Sequence, residues 1–392
     1  MIKMKFILFI IIIIELYARN LPRGIISTEY FGNVLNFLVR SQIGTKNNVA
    51  FYTSLDLASQ FTYTTRSQLG VSNLPTDNLI GSFMEKIYNT EYDISQYRDS
   101  LYFIYFSEKT IDFSYYVFDF KKNKGIGSGY GFAFKFRDES FSIVHQLYNK
   151  GYIKRRSFGI GEFNHRIEEG EVFFGGISDE EGYKKKYKGK CKVKNEFSTW
   201  SCSLQSVRIG NEIFDTSQHY MYFQTSISYI YAPKSFMIFL NDTLAKKAGE
   251  YCAMRENENT LQFICDNEIL DVLPNLYFNF NGVRFDIPLD VLFDEGLGTL
   301  TFHIVYDERI TKDDNTWIFG NYFLYQYATY FDYDDQSISF FSNTNIIIDE
   351  EHVQWKANSY YIENITISLY ILVSTLSGCL CVLLLMNKYN CI

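Results

Sequence analysis

The sequence predicts an all-β body held between two apolar ends, the second of them a transmembrane helix. Three observations predict it. Aromatic residues make up 18% of the chain against only 5 Pro, a balance that favours pleated, half-buried strands over disorder. Short period-two apolar stretches recur between Gly, Asn and Asp turns. A final uncharged run, residues 365–386, is long enough to cross a bilayer.

With 392 residues the chain can bury a sizeable core as one large or two ordinary domains. Its net charge of -8 offers no basic field to hold a phosphate backbone, which argues against nucleic acid as a partner.

From the start, residues 1–18 read as a signal peptide: Lys3 and Lys5 precede the apolar run Phe6 to Ile14, and Ala18 supplies a small residue for cleavage. An uncleaved anchor is the alternative. Strands are expected at Tyr102 to Phe106, Phe113 to Phe120, Phe278 to Phe280 and Ser337 to Phe341. Helical spacing is confined to Ser140 to Lys150, Pro233 to Glu250 and Asn321 to Tyr325. The acidic stretch Asp179 to Glu181, with lysines after it, reads as a solvated turn and marks a boundary between residues 19–178 and 179–344.

A linker, 345–364, leads to the apolar run 365–386, which at ~1.5 Å per residue spans roughly 33 Å. Residues 387–392 then form a cytosolic tail. The expectation is a single-pass type I protein on a secretory-pathway or cell-surface membrane, its body lumenal or extracellular.

Cys379, Cys381 and Cys391 fall in or beside the membrane run, whereas Cys191, Cys202, Cys252 and Cys265 lie in the body. Of the three pairings four cysteines allow, Cys191 with Cys202 and Cys252 with Cys265 is the simplest. A zinc site is the other reading of these cysteines, but it lacks a CxxC or a nearby pair of histidines. No metal and no cofactor are expected. Asn241 and Asn364 open Asn-x-Thr sequons; Asn241 is a glycosylation candidate if it lies on the surface, and Asn364 abuts the membrane run.

Longer motifs carry a resemblance. Tyr30-Phe31-Gly32 and Gly44-Thr45 precede Phe51-Tyr52-Thr53-Ser54-Leu55-Asp56-Leu57-Ala58-Ser59, and Gly129-Tyr130-Gly131-Phe132-Ala133 is followed by Val172-Phe173-Phe174-Gly175-Gly176-Ile177. In the second half come Trp200, Phe223-Gln224-Thr225-Ser226, Leu273-Pro274 and Trp317-Ile318-Phe319-Gly320-Asn321. In order and spacing, from Tyr30 to Phe341, these resemble a pepsin-type aspartic protease.

The resemblance implies a bilobal pepsin-like fold with a peptide cleft between the lobes. It also implies two carboxylates that share one proton and activate a water. Asp56 falls on the first catalytic aspartate, with Leu57 and Ala58 where the family has Thr and Gly. Gln224 falls on the second, and an amide has no proton to share near neutral pH. Tyr88 falls on the tyrosine of the flap that covers bound peptide, flanked by Asn89 and Glu91 where the family has glycines. Asp215-Thr216-Ser217 is an alternative second motif, with a hairpin-end turn as its plain reading. The function expected is that of an inactive, membrane-anchored homologue binding a peptide or protein partner in the interlobe cleft. The alternative is an active endopeptidase using Asp56 with Asp215.

Overall fold

The computed structural model describes residues 23–31, 34–43, 49–57, 59, 63–65, 79–87, 90–103, 111–119, 128–136, 139, 142–161, 163, 169–177, 180–194, 198–247, 251–273, 275–287, 292–295, 299–311 and 313–342. The signal-peptide stretch, Tyr88, the linker, the membrane run and the tail lie outside the described residues. Among those described, no helix is long and apolar enough to cross a membrane.

Alternating side chains shape the strands that have one face on the core. Thr260–Cys265 and Leu276–Phe280 alternate strictly between half-buried and buried positions. Tyr327–Asp332 is buried at every position, because it is paired on both sides, with Ser337–Ser342 and with Ser157–Ile160. The strands form sheets of thirteen, eight and four.

The thirteen-stranded sheet runs on both sides of the expected lobe boundary. Tyr187–Lys192, Ser337–Ser342 and Tyr327–Asp332 hydrogen-bond in turn to Ser157–Ile160, Glu169–Phe174, Arg23–Phe31, Val34–Ile43 and Val49–Asp56. Aromatic rings fill the crossing: Phe158 stacks on Phe331 with centroids 4.7 Å apart and on Phe132 at 4.4 Å, and Trp200 meets Phe331 at 5.1 Å. Offset and edge contacts of this kind add to what burial alone contributes.

Helices form within a few residues of where the spacing put them. Ile143–Asn149 is capped by the Ser142 hydroxyl, which accepts from the His145 N–H. Lys234–Lys247 begins directly after Pro233, a residue suited to a helix start because its missing N–H is not needed there. Asn321–Gln326 follows Gly320.

One expectation is corrected: the acidic stretch opens a helix, Glu180–Lys186, instead of a solvated turn. Tyr183 explains it, being buried against Phe173 and Phe341. Lys184, Lys185 and Lys186 then occupy the last turn, where the helix dipole favours cations.

Both disulfides form as the simplest pairing had it, Cys191 with Cys202 and Cys252 with Cys265. Asn241 lies within the helix Lys234–Lys247 and is half-buried, while Thr243 of its sequon is 4% exposed.

Candidate active site

Two strands from distant parts of the chain end in the same way. Val49–Asp56 runs parallel to Ser128–Gly131, with Asp56 opposite Gly131, and the Phe132 N–H donates to the Asp56 carbonyl at 2.9 Å. Tyr220–Phe223 runs parallel to Thr316–Phe319, with Phe223 opposite Phe319, and the Gln224 N–H donates to the Phe319 carbonyl at 3.1 Å. Each strand delivers one half-buried polar residue to a turn. The Asp56 carboxylate accepts from the Ser59 N–H at 3.0 Å, and the Gln224 amide donates to the Ser226 hydroxyl at 2.6 Å.

Thr225 joins the two turns. Its hydroxyl accepts from the Leu57 N–H at 3.2 Å and donates to the Leu55 carbonyl, so it grips the residues on either side of Asp56. Its own carbonyl accepts from the Asn321 side chain at 2.9 Å. Thr225 is 3% exposed and Leu57 and Asn321 are fully buried; a hydrogen bond in such surroundings is stronger than in water, and a bare donor costs more. The grip runs one way, since Leu57 has no hydroxyl to return. Thr225 stands inside a sequence motif that by itself gives its hydroxyl no role. The available signal was a hydroxyl directly after the strand-end residue, at a place that hydrophobic patterning leaves unexplained.

The support behind each turn is equally specific. The Phe132 carbonyl accepts from the Trp200 indole at 2.6 Å and from the Tyr333 hydroxyl at 3.3 Å, and Tyr333 also donates to Ala133 at 3.1 Å. Burial pushes the Tyr333 hydroxyl well up, which keeps it a donor. On the other side, a Cβ added at Gly320 would stand 2.5 Å from the Tyr229 carbonyl and 2.6 Å from that of Ile227. Only glycine permits this approach of backbone to backbone.

Asp215 is elsewhere. It ends the strand Glu212–Asp215 at the edge of the four-stranded sheet, is exposed, and its carboxylate accepts from the Ser217 N–H at 3.0 Å. That is the turn geometry Asp favours. The structure brings together the turns of Asp56 and Gln224 and leaves Asp215 on a different sheet. Among the described residues, no cluster of three or more His, Cys, Asp or Glu could hold a metal ion.

A family model described as eukaryotic aspartyl protease matches residues 107–343, more than half of the chain. The chain belongs to that family. Among solved structures it is similar to the aspartic proteinase from Irpex lacteus, with a TM-score of 0.64 and 12% identity over 83% of this chain and 98% of that one. At such identity the likeness is one of fold, and the mostly β aspartyl protease architecture accounts for the paired strand ends described above. The family match begins after Asp56, so in this member of the family the likeness of the two turns is carried by the parallel pairings and by Thr225.

Proposed function

We propose that this member of the aspartyl protease family is a membrane-anchored, catalytically inactive homologue that binds a peptide or protein partner in the cleft between its lobes. Its body would be lumenal or extracellular, followed by the apolar run 365–386 as the anchor. The observation that carries the proposal is Gln224. It precedes Thr225, whose hydroxyl reaches both neighbours of Asp56, and it carries an amide in the position where a second carboxylate would have to stand.

An amide can neither hold a shared proton nor take one from a water near neutral pH. Groups that act as a unit lose nearly all activity when one is removed, so the lone carboxylate of Asp56 leaves little turnover. The cleft itself needs no carboxylate pair to bind an extended peptide. The pairing of Asp56 with Asp215 has no comparable support, because Asp215 is exposed on another sheet and occupied by the Ser217 N–H.

The test is cleavage of a peptide library by the full chain in mild detergent at acidic pH, with and without pepstatin. Cleavage by the unmodified chain should not exceed that of Asp56→Asn, while selected peptides are retained by both. Pepstatin-sensitive cleavage that Asp56→Asn abolishes would overturn the proposal.

A further inference from the structure

The chain is acidic overall, yet residues 184–194 contain seven lysines. Lys188, Lys190, Lys192 and Lys194 alternate with buried Gly189, Cys191 and Val193, so the strand turns one face to the core and a row of cations outward. That row lines an open groove of about 970 Å³, and Arg284 belongs to the same lining.

Five cations therefore face two carboxylates. Asp335 takes Lys190 and Lys192, the latter at 2.6 Å, and Asp286 takes Arg284 at 3.0 Å. Lys194 lies over the Tyr220 ring, 4.3 Å from its centroid. Among the described residues, no carboxylate pairs with Lys188 or Lys194. A net positive groove on a chain of net charge -8 is a local field that selects anions.

The chain itself supplies the matching anion. Strand Ser337–Ser342 pairs antiparallel with Tyr187–Lys192, with Lys192 opposite Ser337 and Tyr187 opposite Phe341. It therefore leaves the sheet at the Lys188 end of the groove. Seven residues later comes Asp349-Glu350-Glu351, within a reach of roughly 23–25 Å for an extended chain. Lys188 to Lys194 covers ~20 Å of strand, so the acidic triplet can reach every lysine in the row.

We propose that Asp349-Glu350-Glu351 docks in cis on this lysine groove and straps the segment after Ser342 back across the body. Carbodiimide cross-linking of the full chain in mild detergent at low salt, read by mass spectrometry, tests it. Lys188 or Lys194 should be joined to Asp349, Glu350 or Glu351 of the same chain, with the yield falling at least fivefold in 1 M salt, where charges are screened beyond ~3 Å. Links from these lysines only to other carboxylates, links only between isotopically distinct chains, or no links would each overturn it.

A binding measurement guards against a disturbed fold. A labelled peptide of residues 346–353 should bind the variant Asp349→Asn, Glu350→Gln, Glu351→Gln at least tenfold more tightly than the unmodified chain, whose groove is already filled. Equal affinity for both, or none for either, overturns the proposal.

Discussion

At the scale of single residues, the one-way grip of Thr225 makes the sharpest prediction. Thr225→Val keeps the side-chain volume but strips a partner from the Leu57 N–H and the Leu55 carbonyl, at about 1–3 kcal/mol for each buried group left bare. Thr225→Ser retains both bonds and should cost about 1 kcal/mol for the lost methyl. Urea denaturation distinguishes the two; equal losses would mean that the hydroxyl does not hold the turns together. Asp56 and Gln224 stood out in the sequence through the motifs around them, and the structure puts the first at the end of its strand and the second directly after its own. The hydroxyl's role was not, because it joins residues 168 and 170 positions apart, a span over which no local pattern carries information.

At the scale of elements, the strand Tyr187–Lys192 is held to the turn before Ser337 by a charge cluster. Burial alone would raise the Asp335 carboxyl, but hydrogen bonds from Lys190 and Lys192 outweigh it and hold Asp335 well below the usual carboxylate range. A depressed folded-state pKa gives stability that is fully present above the unfolded value, near ~4, and is lost as pH falls through the folded one. Urea denaturation of the unmodified chain and of Asp335→Asn should therefore show a gap at pH 6 that narrows on going to pH 3. A gap that stays constant would sink this account.

Legibility at this scale followed how local each cause was. Ser142, Pro233 and Gly320 mark helix starts in the sequence, and the helices follow them. The helix Glu180–Lys186 was hidden because Tyr183 is held between Phe173, in the strand just before it, and Phe341, which lies near the far end of the body and which no local pattern brings to its side.

For the whole molecule, the strand-rich character was legible from composition and turn spacing. The joining of both halves of the chain in one thirteen-stranded sheet was not, because the pairing of Ser157–Ile160 with Tyr327–Asp332 is a matter of topology. Phe158, 1% exposed, sits at this junction among Phe132, Trp200 and Phe331. Phe158→Ala should cost about 3–5 kcal/mol in a single unfolding transition seen alike by tryptophan fluorescence and far-ultraviolet circular dichroism. Two separated transitions would show that the halves are stable independently.

The same junction sets a schedule for biosynthesis. The Tyr330 hydroxyl that bonds Ser157 belongs to a strand made long after its partner, 173 positions further along the chain. At ~5–20 residues per second of translation, the edge formed by Ser157–Ile160 waits on the order of 10–30 s for the strand that covers it. During that interval the nascent chain exposes an unpaired, largely apolar ribbon, the kind of template that invites wrong strand partners. The first half of this protein is therefore the part that a chaperone would have to guard while the second half is still being made.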